Sequence, residues 1–217
     1  MHDFFISAFH EIINKEPVSN IYDLLSLLAN DSDSYTPKWH ALGFIHCKLA
    51  SFSQGTLRLH IWPPVERHSQ EQSDKIHDHI FSLTSFVICG SVKNEIFEIS
   101  EVSEDAASNQ CYEVKYFPNG ASLQPTGNYY NKSLKHKDDV KKNEHYVVMS
   151  GDLHQSSTPN GALVATLVAT YDHIESAPRL LGSIQSDENL FRQNIIFERN
   201  KWVKLLASIK SEYEPLC

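Results

Sequence analysis

Two histidines separated by a single residue, His77 and His79, stand in the stretch "KIHDHIF" that runs from Lys75 to Phe81. If this stretch is a β-strand, residues i and i+2 point to the same face, so both imidazoles project together while Asp78 turns away. Two imidazoles on one face can supply two adjacent ligands of a metal ion, since neutral histidine is the commonest metal ligand. The spacing therefore predicts part of a metal site, and a third ligand must come from elsewhere in the chain.

A candidate third ligand is His154, in the stretch "YVVMSGDLHQSST". The apolar run ends at Ser150, Gly151 and Asp152 form a turn, and His154 lies on the next strand. We expect this turn to deliver His154 opposite the histidine pair. Three neutral imidazoles leave other coordination positions open for substrate or dioxygen, and they suit zinc, copper, iron and nickel alike. Asp78 is expected to brace the loop or a neighbouring strand rather than to bind metal.

The histidines need a frame, and the hydrophobic periodicity indicates its elements. Residues 1–38 contain two runs with helical spacing, "HDFFISAFHEII" and "SNIYDLLSLLAN", and predict an N-terminal helical segment. Residues 39–175 hold short alternating runs separated by turn residues, which predict a β-barrel or sandwich. The helical period returns over residues 186–213, which we expect to form a helix that covers the barrel. The polar stretch 100–143 predicts an elaborated hairpin or a mobile excursion, and residues 1–217 together predict one domain.

These stretches resemble the cupin superfamily and, within it, the cysteine dioxygenase-like branch. The resemblance runs through "TLRLHIW" and "KIHDHIFSLTSFVICGSVKNEIF" and resumes at "GDLHQSS". It implies an all-β core, a cupin barrel (double-stranded β-helix or jelly roll) with two N-terminal helices and a C-terminal helix. The usual cupin glutamate is missing from residues 80–86, which favours a site of three histidines alone. The resemblance further implies ferrous iron held by His77, His79 and His154, and insertion of oxygen from O2 as co-substrate.

The resemblance also suggests a residue beside the metal. Tyr171 lies 17 residues after His154, where the thiol dioxygenases carry a tyrosine that can hydrogen-bond bound oxygen or substrate. The family's histidine two places earlier is here Ala169. The cysteine that crosslinks to the tyrosine in some members has no clear counterpart, and Thr84 and Ser85 lie near that place. Tyr171 is therefore the candidate catalytic residue, with packing in the core as the alternative.

A substrate carboxylate would need a cationic anchor. The family's arginine is expected on the strand before "TLRLHIW", where this chain has His46 and Lys48, so Lys48 is one candidate anchor. Arg58 on the following strand is a candidate replacement, because a guanidinium can hold a carboxylate bidentately and an ammonium cannot. An ion pair between Arg58 and Glu95 is the alternative. His60, on the same strand face as Arg58, is a candidate substrate-binding group or a buried core histidine.

Composition and charge narrow the range of partners. The net charge of −8 with histidines neutral argues against nucleic acid or an anionic membrane as a partner. No apolar run approaches the ~18 residues that cross a bilayer, and the N-terminal stretch does not read as a signal peptide, so we expect a cytoplasmic location. The four cysteines have no metal-binding spacing and are expected to be free thiols. We expect a small-molecule substrate and a monomer or homodimer.

The leading functional expectation is a non-haem Fe(II)-dependent oxygenase, a dioxygenase that acts on a small polar metabolite such as an amino acid or a thiol. If the metal is zinc, nickel or manganese instead, the same barrel would act as an isomerase, epimerase or lyase. A third alternative is a cupin that binds a small molecule without turning it over. Metal content and oxygen consumption separate the three.

Overall fold

The structure, a computed structural model, describes residues 2–65, 75–184 and 191–213. Its three helices in those ranges are α1 at His2–Ile13, α2 at Ile21–Asn30 and α3 at Arg199–Tyr213. The prediction of two N-terminal helices is confirmed, and both bury their apolar stripes in one core, with Phe9 of α1 and Leu25 of α2 at its centre. Within the described ranges, no helix has the length and apolarity needed to cross a bilayer.

The C-terminal helix is shorter than the sequence predicted. Expected over residues 186–213, it begins at Arg199, and the segment before it is extended where the structure describes it. Ile195 and Ile196 pair with the first strand of the fold, Lys38–Trp39. A sheet edge offers unpaired backbone groups to any extended segment, and this tertiary contact outweighs the helical spacing of the isoleucines.

The rest of the described chain is mostly β-structure. Its strands, β1 to β14 in chain order, are Lys38–Trp39, Ile45–Phe52, Gly55–Trp62, Ile76–His77, Ser82–Cys89, Ser91–Val102, Asn109–Phe117, Gly120–Lys141, His145–Val148, Leu153–Ser157, Val164–Tyr171, Arg179–Gly182, Phe191–Gln193 and Ile195–Ile196. They form two seven-stranded sheets, with the orders β14-β1-β2-β3-β11-β5-β9 and β13-β8-β6-β10-β4-β12-β7. This architecture is that of a β-sandwich or barrel, and it is compatible with a cupin-like fold.

The first sheet separates the helical core from a cavity, and the face on which a residue of β3 lies decides which of the two it meets. On the outer face, Leu57 and Leu59 of β3 pack into the helical core together with Trp202 of α3. The intervening Arg58 and His60 point the other way and line a cavity between the two sheets. The alternation along β3 therefore separates a structural face from a cavity face, as its sequence predicted.

The polar stretch 100–143 is an elaborated hairpin. The 22-residue strand β8 pairs with β7 along its first half and with β6 along its second half. The left-handed Gly127 (φ 78°) lies between the two halves. The second sheet therefore curls back on itself, and the hairpin supplies one wall of the cavity through Val114 and Leu123.

Candidate metal centre

The structure brings the three predicted ligands together into one group, the histidine cluster of His77, His79 and His154. His77 on β4 lies directly opposite His154 on β10 in the sheet. The ring centroids are 4.6 Å apart for this pair, 4.7 Å for His77 and His79, and 5.1 Å for His79 and His154. One nitrogen from each ring lies within 4.8 Å of the other two. The residues predicted as metal ligands are thus the ones that cluster.

His79 reaches the cluster from the loop after β4, because β4 ends at His77. The carbonyl of His79 accepts a hydrogen bond from the backbone N–H of Gly151 (2.9 Å), and the ring of His79 stacks on Phe81 at 4.9 Å between centroids. Gly151 has a φ of +81°, a left-handed conformation that favours glycine. The glycine turn therefore carries the chain towards His154 and also holds His79 in place.

Asp78 turns away from the histidine cluster and braces the site, as predicted. Its carboxylate is 4% exposed and accepts two hydrogen bonds from Arg179, one from the backbone N–H at 2.5 Å and one from Nε at 2.7 Å. Nη2 of Arg179 also donates to the carbonyl of Gly151 at 3.3 Å. A single arginine thus ties the segment that carries His77 and His79 to the turn that precedes His154.

Hydrogen bonds on the far side of two rings determine which nitrogen faces the cluster. Nδ1–H of His154 donates to Oδ1 of Asn94 at 3.0 Å, and Nδ1–H of His77 donates to the carbonyl of Lys75 at 2.9 Å. Because both acceptors are oxygens, the proton stays on Nδ1 and the lone pair on Nε2. Outer partners of this kind orient the metal-binding histidines of proteins.

The environment keeps the three imidazoles neutral. Burial lowers the pKa of His154 and His79 well below its ordinary value, and the neighbouring histidines lower it further. Burial also lowers the pKa of His77, although the carbonyl of Lys75 and the charge of Asp78 act in the opposite direction. Neutral imidazole is the form that binds metal.

The spacing of two of the imidazole nitrogens fits a single cation. Two nitrogens that each lie about 2.1 Å from one ion are about 3.0 to 3.4 Å apart at angles of about 90° to 109°. Nε2 of His79 and Nε2 of His154 are 3.1 Å apart. No carboxylate of the described residues joins the cluster, so the donor set suits the borderline metals, zinc, iron, nickel and copper.

The cluster lies on the wall of a cavity of about 410 Å³ between the two sheets. Across the cavity, the first sheet contributes an aromatic wall, which we define as His40, Phe44, His46, His60 and Trp62. Phe44 lies at its centre, with ring centroids 4.5 Å from His40, 4.8 Å from His60 and 5.0 Å from Trp62. The space in front of the metal ligands is thus bounded by flat rings.

His40 is a cavity residue that the sequence analysis missed. It sits at the start of a tight loop in which its N–H donates to the carbonyl of Phe44 at 2.7 Å. The N–H of Leu42 donates to Nδ1 of the His40 ring at 3.2 Å. Nδ1 is therefore an acceptor and the proton lies on Nε2, so the ring offers a neutral N–H donor. The glycine in "HALGF" was the sequence signal for this loop. Gly43 adopts the left-handed conformation there (φ 85°).

Asn94 is a second missed residue, and the sequence did contain a signal for it. In "VKNEIF" it alternates with Val92 and Ile96, and Asn94 is 0% exposed. An asparagine in the buried row of an alternating strand needs a buried partner. Here the partner is the ring of His154.

The structure brings two of the three predicted substrate-binding residues to the cavity. Arg58 and His60 both line the cavity, whereas Lys48 is exposed and is not part of the cavity lining among the described residues. The expectation that Lys48 anchors the substrate is therefore wrong. Lys48 lies opposite Arg58 and next to a bulge in β2, and its long side chain keeps the ammonium in water. The alternative ion pair of Arg58 is also absent from the described residues, since Glu95 pairs with Lys93 at 3.4 Å.

Tyr171 requires a correction, because the structure does not bring it to the histidine cluster. Its hydroxyl hydrogen-bonds Thr84 Oγ1 at 2.9 Å. Ala169, two residues earlier on β11, packs in the helical core, and alternation places Tyr171 on that same outer face. Thr170 and Val168 occupy the cavity side of the strand. Thr84 and Tyr171 lie near the positions where some members of the family carry a cysteine–tyrosine crosslink, and they do contact each other. The contact is on the outer face of the sheet, away from the histidine cluster.

No protein-family model matches the chain, and no curated protein matches it. Membership of the cupin superfamily therefore stays a prediction from the resemblance. The three clustered histidines within a two-sheet fold are compatible with that prediction.

Proposed function

We propose that the chain holds Fe(II) through His77, His79 and His154 and oxygenates a small polar metabolite in the adjoining cavity. The observation that carries the proposal is the convergence of three neutral imidazoles, with no carboxylate ligand, on the wall of a cavity of about 410 Å³. When bound, the iron supplies a Lewis-acidic, redox-active centre with free coordination positions for substrate and O2.

The chain's own residues hold and shield the substrate. Arg58 is the anchor for its anionic group, because the guanidinium lines the cavity and its Nε is fixed by Thr56 Oγ1 at 3.2 Å. The aromatic wall packs against the apolar part of the substrate and excludes water from the reacting atoms. Nε2–H of His40 provides a neutral hydrogen-bond donor that lines the same cavity.

A second candidate is supported by the additional imidazoles. With zinc, nickel or manganese in place of iron, the same site would act as an isomerase, epimerase or lyase that needs a group to take up and return a proton. His40 and His60 line the cavity, and burial lowers the pKa of each well below its ordinary value, so both rings are neutral. Nδ1 of His40 already accepts from the N–H of Leu42, so His60 is the ring that would take up the proton. Among the described lining residues, Asp78 is the one carboxylate, and Arg179 already binds it.

The test begins with elemental analysis of anaerobically purified protein. We expect about one iron per chain in the wild type and loss of both iron and activity in His79→Ala. His136→Ala is the matched control, because His136 is exposed and contacts Asp138 on the hairpin. If His79→Ala retains full iron, the ligand assignment is wrong.

Oxygen uptake then separates the candidate functions. The proposal expects substrate-dependent O2 consumption when the iron protein is screened against small amino acids and thiols. A protein that carries zinc, nickel or manganese and converts substrate without O2 supports the second candidate instead. Ligand-induced stabilisation without any turnover would identify a binding protein and refute both enzymatic functions.

A further inference from the structure

The charge of the cavity is opposite to the charge of the chain. The chain carries a net charge of −8, yet the carboxylate among the described lining residues, Asp78, is neutralised by Arg179. Two further arginines, Arg58 and Arg192, also line the cavity. The described lining thus presents an excess of positive charge to whatever binds there.

Arg58 is a partly buried cation whose terminal nitrogens have no hydrogen-bond partner among the described residues. Its Nε donates to Thr56 Oγ1, and its guanidinium lies 5.3 Å above the ring of Phe81. No carboxylate of the described residues lies within ion-pairing distance, and burial lowers the pKa of the guanidinium. An arginine that is partly removed from water is stabilised by an anionic partner, so the two terminal nitrogens of Arg58, on the cavity wall, are suited to bind one.

Arg192 belongs to a row that crosses three strands. Arg192 of β13 lies opposite Ala121 of β8, and Ala121 lies opposite Tyr116 of β7. Directly opposed residues share a face of the sheet, and all three line the cavity. Nε of Arg192 is buried and has no hydrogen-bond partner among the described residues.

The position of Arg192 depends on a glycine. A Cβ at Gly120 would meet the carbonyl oxygen of Arg192 at 2.1 Å and the ring of Phe191 at 2.7 Å. β13 can therefore lie against β8 only because residue 120 has no side chain. The same row contains Tyr116, which is 71% exposed and lines the cavity together with Arg58. The row thus places Arg192 on the wall of the cavity that Arg58 also lines.

We propose that Arg58 and Arg192 together bind a doubly charged oxyanion, so that the substrate class is a small metabolite with two carboxylates or one phosphate group. This inference deepens the proposed function and rests on it for the reaction at the histidine cluster. A guanidinium binds carboxylate and phosphate oxygens through paired N–H donors. Two guanidinium groups together balance the two negative charges of such an anion. Both arginines act on binding and orientation, and neither is a metal ligand.

The test uses the full-length, metal-free protein, so that it does not depend on the metal. Succinate, inorganic phosphate and acetate are titrated at pH 7.5 and constant ionic strength, and the fluorescence of Trp39 and Trp62, which line the cavity, reports binding. We expect succinate or phosphate to bind more tightly than acetate, and the tighter of the two tells a dicarboxylate from a phosphate ligand. Dianions that bind no tighter than acetate would refute the inference.

Variants assign the binding to the two arginines. Arg192→Gln and Arg58→Gln should each weaken dianion binding about tenfold or more, the loss expected for one charged hydrogen-bonding group. Lys115→Gln is the matched control, because it removes a positive charge from an exposed position beside Tyr116 and should leave binding unchanged. Arg192→Lys keeps the charge without the planar fork and should give an intermediate affinity. Arginine variants that bind like Lys115→Gln overturn the proposal.

A parallel metal titration separates this inference from the proposed function. The Arg58 and Arg192 variants should bind metal as the wild type does. If the wild type binds dianions through the arginines but holds no metal, the proposed function fails and the anion site stands. If the wild type binds metal but no dianion, the anion site fails and the metal site of the proposed function stands.

Discussion

Replacing Asn94 by leucine should weaken metal binding without touching a metal ligand. Asn94 Oδ1 is the acceptor for Nδ1–H of His154 at 3.0 Å, and the asparagine is completely buried. The leucine side chain has the same number of heavy atoms and the same branching but no acceptor, so Nδ1–H would be left unpaired and the ring free to turn or to change tautomer. The ligand atom Nε2 would then no longer be fixed towards the cluster.

The size of the effect follows from the role of this hydrogen bond. Loss of an outer partner of a metal-bound histidine costs about 10- to 100-fold in metal affinity, or about 1.4 to 2.8 kcal/mol. The bond is a single contact on one of three ligands, so we expect a value near 30-fold. Asn94→Asp should behave differently, because a carboxylate accepts the same bond more strongly and its charge stabilises a nearby cation. The aspartate variant should therefore retain wild-type affinity, although its metal-free form should be less stable because a charge is buried.

Competition titration of Co(II) or Zn(II) against a chelator measures the affinities, and urea unfolding of the metal-free proteins measures stability. Ser156→Ala is the matched control, since Ser156 Oγ contacts the same Oδ1 at 3.4 Å without touching a histidine. It should bind metal as the wild type does. Wild-type affinity in Asn94→Leu, with the fold intact, would show that the ring of His154 is not oriented by Asn94.

Two further predictions concern stability. Asp78→Asn should lower the free energy of unfolding by about 2 kcal/mol, because it weakens two charge-assisted hydrogen bonds to a partly exposed Arg179. Urea unfolding measures this change, and an unchanged free energy of unfolding contradicts the bracing role of Asp78. His46 has its pKa lowered to about 4 by burial and by the charges of Arg58 and Lys38. The unfolded chain therefore takes up a proton before the folded chain does, and metal-free protein should lose stability as the pH falls from about 6.5 to about 4. His46→Phe should show a shallower loss in urea unfolding across that window, and an identical pH dependence would contradict the assignment.

Several features of this protein could be derived from local sequence. The H-x-H spacing predicted that His77 and His79 lie together, and the glycine turn before His154 marked the third histidine of the cluster. The alternation of β3 likewise separated Arg58 and His60 from the apolar residues between them. Asp78 was assigned its bracing role for the same reason.

Other features depended on which surfaces meet in three dimensions. β11 has apolar residues on both faces, so its alternation does not tell which face meets the cavity. The helices pack against one face of the sheet, and this decides that Thr170, and not Tyr171, faces the cavity. Arg192 reaches the cavity through a strand that forms only because a sheet edge is available beside Gly120. The sequence by itself thus picked out the three histidines, because the H-x-H spacing and the glycine turn are local patterns, although the meeting of His154 with the other two depends on the pairing of β10 with β4. Only the tertiary structure decided what surrounds the substrate, because those residues come from segments that are distant in the chain and meet only when both sheets and the helices are packed.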